Sequence, residues 1–231
     1  MQHYFGAFSS GVAYLSKEDE HHALNVKRLR LDEEVEISEG GKTYLCRANS
    51  LHPLRFALLR ELESREPKIR LSLAFSMLKS DYNELIVLKG TEIGVSEFLP
   101  FVSKRTILPL EAANKKVARL RKIAKEGAEQ CRRGLIPEVK EAKTLRELDF
   151  SAYPTKLFAY EEMAMAGQSL LSCQLEGDCL LIVGPEGGFA KEEASYLLEN
   201  GFAPISLGKR ILRAETAAIF GCSVLIARSG S

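Results

Sequence analysis

Two rhythms of apolar and polar positions run along this chain, and they change over near residue 66. Before it, the apolar runs are short and separated by turn signals. They cover residues 4–8, 35–37, 43–48 and 56–62, with Glu39-Gly40-Gly41 between two of them. Short β-prone runs bounded by glycine and polar residues predict a small β-rich domain. Residues 65–68 contain Pro67, which interrupts regular structure, so they read as a linker between a domain at 1–66 and another at 67–231.

The second segment alternates strand and helix. Residues 71–75 predict a buried strand, and 82–93 a helix stopped by Gly94. A strand at 98–101 precedes a long helix at 114–131, where Val117, Leu120, Ala124 and Ala128 recur at helical spacing. A strand at 156–160 is followed by a helix from residue 161 onward. The run Cys179-Leu180-Leu181-Ile182-Val183 is apolar throughout, as in a parallel strand covered on both faces. A helix at 191–199 closes at Asn200-Gly201, and a short strand is expected at 205–207. Residues 216–227 are apolar on nearly all sides, which predicts a buried helix. The whole pattern argues for an α/β domain with a largely parallel sheet.

Composition narrows the class without deciding it. Apolar residues make up 45% and charged residues 27%, an ordinary globular balance. No apolar stretch is long enough to cross a membrane, and the N-terminus lacks the basic and apolar pattern of a signal peptide. The five cysteines are odd in number and form no CxxC pair. A disulfide framework and a structural zinc site are therefore not expected, and a reducing cytoplasmic setting fits. Net charge is only +1, but residues 114–133 hold Lys115, Lys116, Arg119, Arg121, Lys122, Lys125, Arg132 and Arg133 against only Glu126 and Glu129. Lys27, Arg28 and Arg30 form a second basic cluster. Such faces attract a phosphate backbone, or are simply solvated helix surfaces.

Three places carry candidate chemistry. The apolar strand at 179–183 runs into Gly184-Pro185-Glu186-Gly187-Gly188-Phe189. A glycine-rich turn after a parallel strand is where α/β proteins hold ligands, although a plain tight turn reads the same way. Its G-x-x-G-G spacing matches neither a dinucleotide fingerprint nor a phosphate-cradling loop. The second place is Leu207-Gly208-Lys209-Arg210-Ile211-Leu212-Arg213-Ala214-Glu215-Thr216, again a strand meeting glycine before a helix. Arg213 and Glu215 could form a structural ion pair there, or act on a substrate. The third comprises two helix ends, Lys89-Gly90-Thr91-Glu92-Ile93-Gly94-Val95 and Glu129-Gln130-Cys131-Arg132-Arg133-Gly134-Leu135-Ile136-Pro137.

The order of these motifs, K-x-T-E-I-G-V, E-Q-x-x-R-x-x-I-P, G-P-E-G-G-F and L-G-x-R-I-L-R-x-E-T-A, resembles the RsmE family of the SPOUT superfamily. His22-Ala23-Leu24-Asn25-Val26-Lys27-Arg28 looks like that family's N-terminal H-x-x-x-V-L-R segment, with Lys27 where leucine is usual. The resemblance implies a small PUA-like, RNA-binding β-barrel followed by an α/β methyltransferase domain tied in a trefoil knot. It implies S-adenosyl-L-methionine as cofactor and methylation of N3 of a uridine in 16S ribosomal RNA; the knot is implied by the family alone, because true knots are essentially absent from ordinary folds. A homodimer is implied, as is action on the small ribosomal subunit, with no metal and no membrane.

By that resemblance Arg213 and Glu215 are the catalytic candidates. The cofactor candidates are Tyr160, Gly184, Pro185, Glu186, Gly187, Gly188, Leu207, Gly208, Ile211, Leu212 and Thr216. The RNA candidates are Arg28, Arg30, Lys89, Glu92, Lys115, Lys116, Arg119 and Arg133. Rival readings are a related enzyme acting on another RNA atom, such as a ribose 2′-oxygen, an RNA-binding module that transfers nothing, and, more distantly, a hydride-transfer enzyme.

Overall fold

The computed structural model describes residues 1–160 and 168–230. The helix expected from residue 161 begins outside the described residues. Contacts within the chain divide it into two units, Met1–Glu66 with Ala128–Ile136, and Pro67–Gly127 with Pro137–Ser231.

The first unit is built on a closed barrel of five strands, β1 (Gln2–Ser9), β2 (Val12–Leu15), β3 (Glu34–Glu39), β4 (Lys42–Leu51) and β5 (Leu54–Glu61), in the order β1-β2-β5-β4-β3. A parallel pairing of β1 with β3 closes it, so none of the five strands is left as an edge. Tyr4, Val35, Ile37, Cys46, Ala48 and Phe56 fill the interior. β2 was not anticipated, because Val12-Ala13-Tyr14-Leu15 is too short to show an alternation. Between β2 and β3, α1 (Lys17–His21) is capped by Ser16, whose Oγ accepts from the Asp19 amide at 3.1 Å. It runs into a π-helical turn at His22–Val26. Ala23 and Leu29 are buried there, while Arg28 is exposed with φ 53°.

The segment Ala128–Ile136 is held within this unit by specific contacts. Arg133 is 4% exposed and its Nη2 lies 2.6 Å from Glu66 Oε2. The Leu135 amide donates to the same carboxylate, at 3.2 Å. A Cβ at Gly134 would lie 2.7 Å from the Gly41 carbonyl oxygen, so only glycine fits against the β3–β4 hairpin. Arg65 donates to both oxygens of buried Glu36, at 2.7 and 3.0 Å.

The second unit is an eight-stranded sheet whose pairings are all parallel. Its strands are β6 (Leu71–Ser76), β7 (Glu97–Val102), β8 (Glu138–Val139), β9 (Lys143–Thr144), β10 (Thr155–Ala159), β11 (Gln168–Ser169), β12 (Cys179–Val183) and β13 (Ala203–Ser206). The order is β11-β13-β10-β12-β6-β7-β8, with β9 also on β7. The helices are α2 (Tyr82–Ile93), α3 (Leu110–Cys131), α4 (Lys191–Glu199) and α5 (Ala214–Arg228). β12 shows why its sequence is apolar throughout. Cys179, Leu181 and Val183 belong to one core cluster and Leu180 and Ile182 to another, so both faces are covered. Leu180, Leu181, Ile182 and Val183, so buried, each stabilise by about 1.5–3 kcal/mol.

Helix α2 explains the first motif in structural terms. Asn83 bonds both ways with the Leu78 backbone, each at 2.8 Å. Thr91 is buried, and a Cβ at Gly90 would come 2.7 Å from the Phe98 ring. Gly94, at φ 114°, takes the left-handed conformation that ends the helix. Helix α3 buries Val117, Leu120, Ala124 and Ala128 as expected, and starts four residues earlier than the sequence pattern suggested. The expectation for α5 needs correction. The helix buries Ala217, Ala218, Gly221, Cys222, Leu225 and Ile226, but Thr216, Phe220 and Ala227 are exposed. Apolar residues around a helix do not say which side the same chain covers.

Candidate active site

Because the sheet is parallel, the loops after β6, β7, β10, β12 and β13 leave from one edge. That is where open α/β sheets bind ligands. A cavity of about 370 Å³ opens at this edge, a size suited to a small-molecule ligand. Its walls come from the turn after β12, the segment from β13 to α5, Tyr160 after β10, and Tyr82 at the start of α2.

The glycine-rich turn is pinned from two sides. Gly188, at φ 67°, donates its amide to the Pro185 carbonyl at 2.9 Å. Glu186 Oε1 accepts from the Lys79 amide at 3.3 Å, and the Gly187 carbonyl accepts from Arg105 Nη1 at 2.6 Å. The aromatic ring of Phe189 tucks beneath Gly184, where an added Cβ would meet it at 3.0 Å.

Eleven of the thirteen residues singled out for catalysis and cofactor binding line this cavity: Tyr160, Gly184, Pro185, Glu186, Gly188, Leu207, Gly208, Ile211, Leu212, Arg213 and Glu215. Gly187 and Thr216 do not line it; Gly187 faces Arg105, and Thr216 is exposed on the first turn of α5. Sequence reasoning missed Tyr82, Val183, Phe189, Ile205, Ser206, Arg210 and Ala217. Arg210 stood inside a quoted motif, whereas Tyr82 lies far from every other wall residue in sequence and gave no signal.

The two catalytic candidates have different surroundings. Glu215 is 6% exposed, and its carboxyl group makes no hydrogen bond or ion pair with another described residue. Arg213 is exposed and reaches Tyr82 Oη at 3.4 Å. The structural ion pair between them that the sequence allowed is not formed among the described residues.

The RNA candidates fall in both units. Arg28 and Arg30 are exposed in the barrel unit. Lys89 pairs with Glu92 at 2.9 Å, Lys115 with Glu111 at 3.0 Å, and Arg119 with Glu84 at 3.5 Å. Lys116 is half-buried. Arg133 is enclosed by its contact with Glu66, which places it in the framework of the first unit rather than on its surface. Among the described residues no cluster of His, Cys, Asp or Glu is arranged to hold a metal ion, and no helix is long and apolar enough to cross a membrane.

Comparison with known proteins agrees with this geometry. The family described as RNA methyltransferase domain matches residues 64–226. Ribosomal RNA small subunit methyltransferase E of Bacillus subtilis is 34% identical over 225 residues, covering 91% of this chain and 88% of that protein. The protein of the same name from Aquifex aeolicus is 31% identical, covering 94% and 95%. Among solved structures, ribosomal RNA small subunit methyltransferase E from Neisseria gonorrhoeae, bound to S-adenosyl methionine, superposes with a TM-score of 0.87 at 28% identity, covering 99% and 98%. The closed barrel and the parallel α/β sheet are thus the PUA-like and SPOUT parts of one architecture, and the chain belongs to the RsmE family of RNA methyltransferases.

Proposed function

We propose that this chain transfers a methyl group from S-adenosylmethionine to N3 of a uridine in small-subunit ribosomal RNA. The observation that carries this reading is the cavity itself. Buried Glu215 and exposed Arg213 meet there beside a glycine-rich turn, in a chain of an RNA methyltransferase family.

The residues fit the cofactor. Gly184, Gly188 and Gly208 line the cavity without side chains of their own, with open space beside Gly208, and backbone N–H and C=O can read an adenine edge. Val183, Ile205, Leu207, Leu212 and Ala217 give the cavity apolar walls. The Glu215 carboxyl, buried and without a partner among the described residues, suits a cationic ligand. The bound cofactor supplies a methyl group already activated by its sulfonium, so no metal is needed.

Three tasks fall to the protein. It must hold the uracil nitrogen in line with the methyl donor, which Arg213 does by orienting the base. It must stabilise the charge that develops on the uracil oxygens, again through the Arg213 guanidinium. It must take up the N3 proton, which Glu215 accepts directly or through a water. Arg28, Arg30, Lys115, Lys116 and Arg119 contribute phosphate contacts that position the RNA without choosing the base. The target base leaves its stack to reach the cavity.

The same reading takes the C-terminal part of the chain as a trefoil knot whose crossings include residues 184–188 and 207–213. It takes the active form as a cytoplasmic homodimer. Phe220 on α5, 44% exposed, and Ile211 at the cavity rim, 82% exposed, support a covered face there. The barrel at 1–66 serves as the RNA-binding domain and residues 67–231 as the catalytic domain.

The test uses small ribosomal subunits from a strain lacking this protein, the purified chain and labelled S-adenosylmethionine. Mass spectrometry of the digested RNA should place the label in 3-methyluridine at one site. Label in another nucleoside moves the enzyme to a sister activity. Absence of both label and cofactor binding leaves only an RNA-binding module.

A further inference from the structure

Arg105 lies in the loop after β7 and belongs to none of the motifs that define the site. Its Nη1 donates to the Gly187 carbonyl at 2.6 Å, and its Cβ and Cδ approach within 3.6 Å of the place a Gly187 Cβ would occupy. The loop that carries it is fixed at several points. Thr106 Oγ1 lies 2.7 Å from Ser76 Oγ at the end of β6, and it accepts from the Ser103 amide at 2.8 Å. The Lys104 amide donates to Glu193 of α4 at 2.8 Å, and Lys104 Nζ lies 3.6 Å from Glu192. Arg105 is exposed, and among the described residues it forms no ion pair with a carboxylate, although Glu192 is within its electrostatic reach. Lys79, Arg210 and Arg213 are likewise exposed around the same turn.

A guanidinium carries five donors in a rigid planar fork. One nitrogen of Arg105 is committed to Gly187. The others make no hydrogen bond with a described residue, and on this exposed side chain they are open to a phosphate of an RNA strand that enters the cavity. Gly187 sits between Glu186 and Gly188, which line the cavity, so the position of its carbonyl is set together with the cofactor's wall.

We propose that Arg105 is a positioning residue that grips the Gly187 carbonyl and an RNA phosphodiester at once, so that substrate and cofactor favour each other's binding. This rests on the proposed methylation of ribosomal RNA. A phosphate on the fork fixes the guanidinium, which fixes the turn. A cofactor in the cavity orders the turn, which presents the fork. Thermodynamic linkage makes the two effects equal in size. A lysine in this place keeps the charge but cannot hold both partners in one plane.

The test measures binding of the full chain to small subunits lacking the modification, with and without saturating S-adenosylhomocysteine, over a range of salt. Binding of S-adenosylhomocysteine to the chain alone is followed by calorimetry. In the wild type the ligand should tighten subunit binding by about fivefold or more. Arg105→Met should reduce that coupling to within about twofold and lower the salt slope by roughly 0.7–0.9, the release expected for one phosphate contact. Its affinity for S-adenosylhomocysteine alone should stay within about threefold of wild type. Arg105→Lys should keep the salt slope and still lose the coupling. A wild type without coupling, or a Met variant that retains it, overturns the proposal. So does loss of S-adenosylhomocysteine binding by the Met variant alone, which would make Arg105 a brace of the cofactor turn and nothing more. A coupled wild type that labels a nucleoside other than 3-methyluridine faults the assigned product and leaves the coupling standing.

Discussion

Arg213 Nη1 donates to the Tyr82 hydroxyl across 3.4 Å, joining the segment before α5 to the first residue of α2. The contact is long and exposed, so it guides the guanidinium rather than locking it. Tyr82→Phe should lower kcat/KM by only about threefold, the effect of a weak hydrogen bond. Arg213→Ala should lower kcat by about 10²–10³-fold, the scale of losing a group that stabilises developing charge. Cofactor affinity, read by calorimetry, should change only a few-fold in both. Loss of cofactor binding in Arg213→Ala would move that side chain into the cofactor site.

Arg133 and Glu66 form an enclosed ion pair, with side chains 5% and 16% exposed. Removing one partner leaves the other charge buried without compensation, which costs about 3–5 kcal/mol. Arg133→Ala should therefore lower the unfolding temperature clearly while leaving the salt dependence of RNA binding unchanged. A variant of wild-type stability with a shallower salt slope would return Arg133 to the RNA surface.

Gly90 is confined by the Phe98 ring, which is fully buried. Gly90→Ala gains helix propensity but must displace that ring, and overpacking of this kind costs about 1–3 kcal/mol. Urea unfolding should show net destabilisation. A neutral or stabilised variant would mean that α2 and β7 can part at this point without cost.

His3 lies inside the barrel unit, with Nε2 2.8 Å from Ser38 Oγ and Nδ1 without a hydrogen-bond partner among the described residues. Burial lowers its pKa from 6.5 to about 4, helped by Arg65 and Arg132 and opposed by Glu36. A folded pKa below the unfolded value means that the unfolded chain binds the extra proton first. The contribution is present above pH 6.5 and is lost as pH falls towards 4. Thermal unfolding across this range should show wild-type stability dropping more steeply than that of His3→Gln. Parallel profiles would remove His3 as a source of acid sensitivity.

Much of the architecture was legible because it rests on local periodicity. The apolar run of β12, the stripe on α3 and the stop at Gly94 each follow from neighbours a few residues apart. β8, β9 and β11 are two residues long and were not legible, since they gain their partners only from β7 and β13. The barrel's β2 was missed for the same reason.

The candidate site divides along the same line. The turn at 184–188 and the segment 207–215 could be read from the residues alone, because glycine spacing and an Arg-x-Glu pattern are local features. Tertiary structure decided what surrounds them. It brought Tyr82 to Arg213, Lys79 to Glu186 and Arg105 to Gly187, pairs separated by 131, 107 and 82 residues. It also drew Arg133 into an ion pair with Glu66, where the sequence had suggested a surface contact. A cation's partner is set by which loops a parallel sheet delivers to one edge, and by which carboxylate the chain returns beside it. Neither is encoded in the residues on either side.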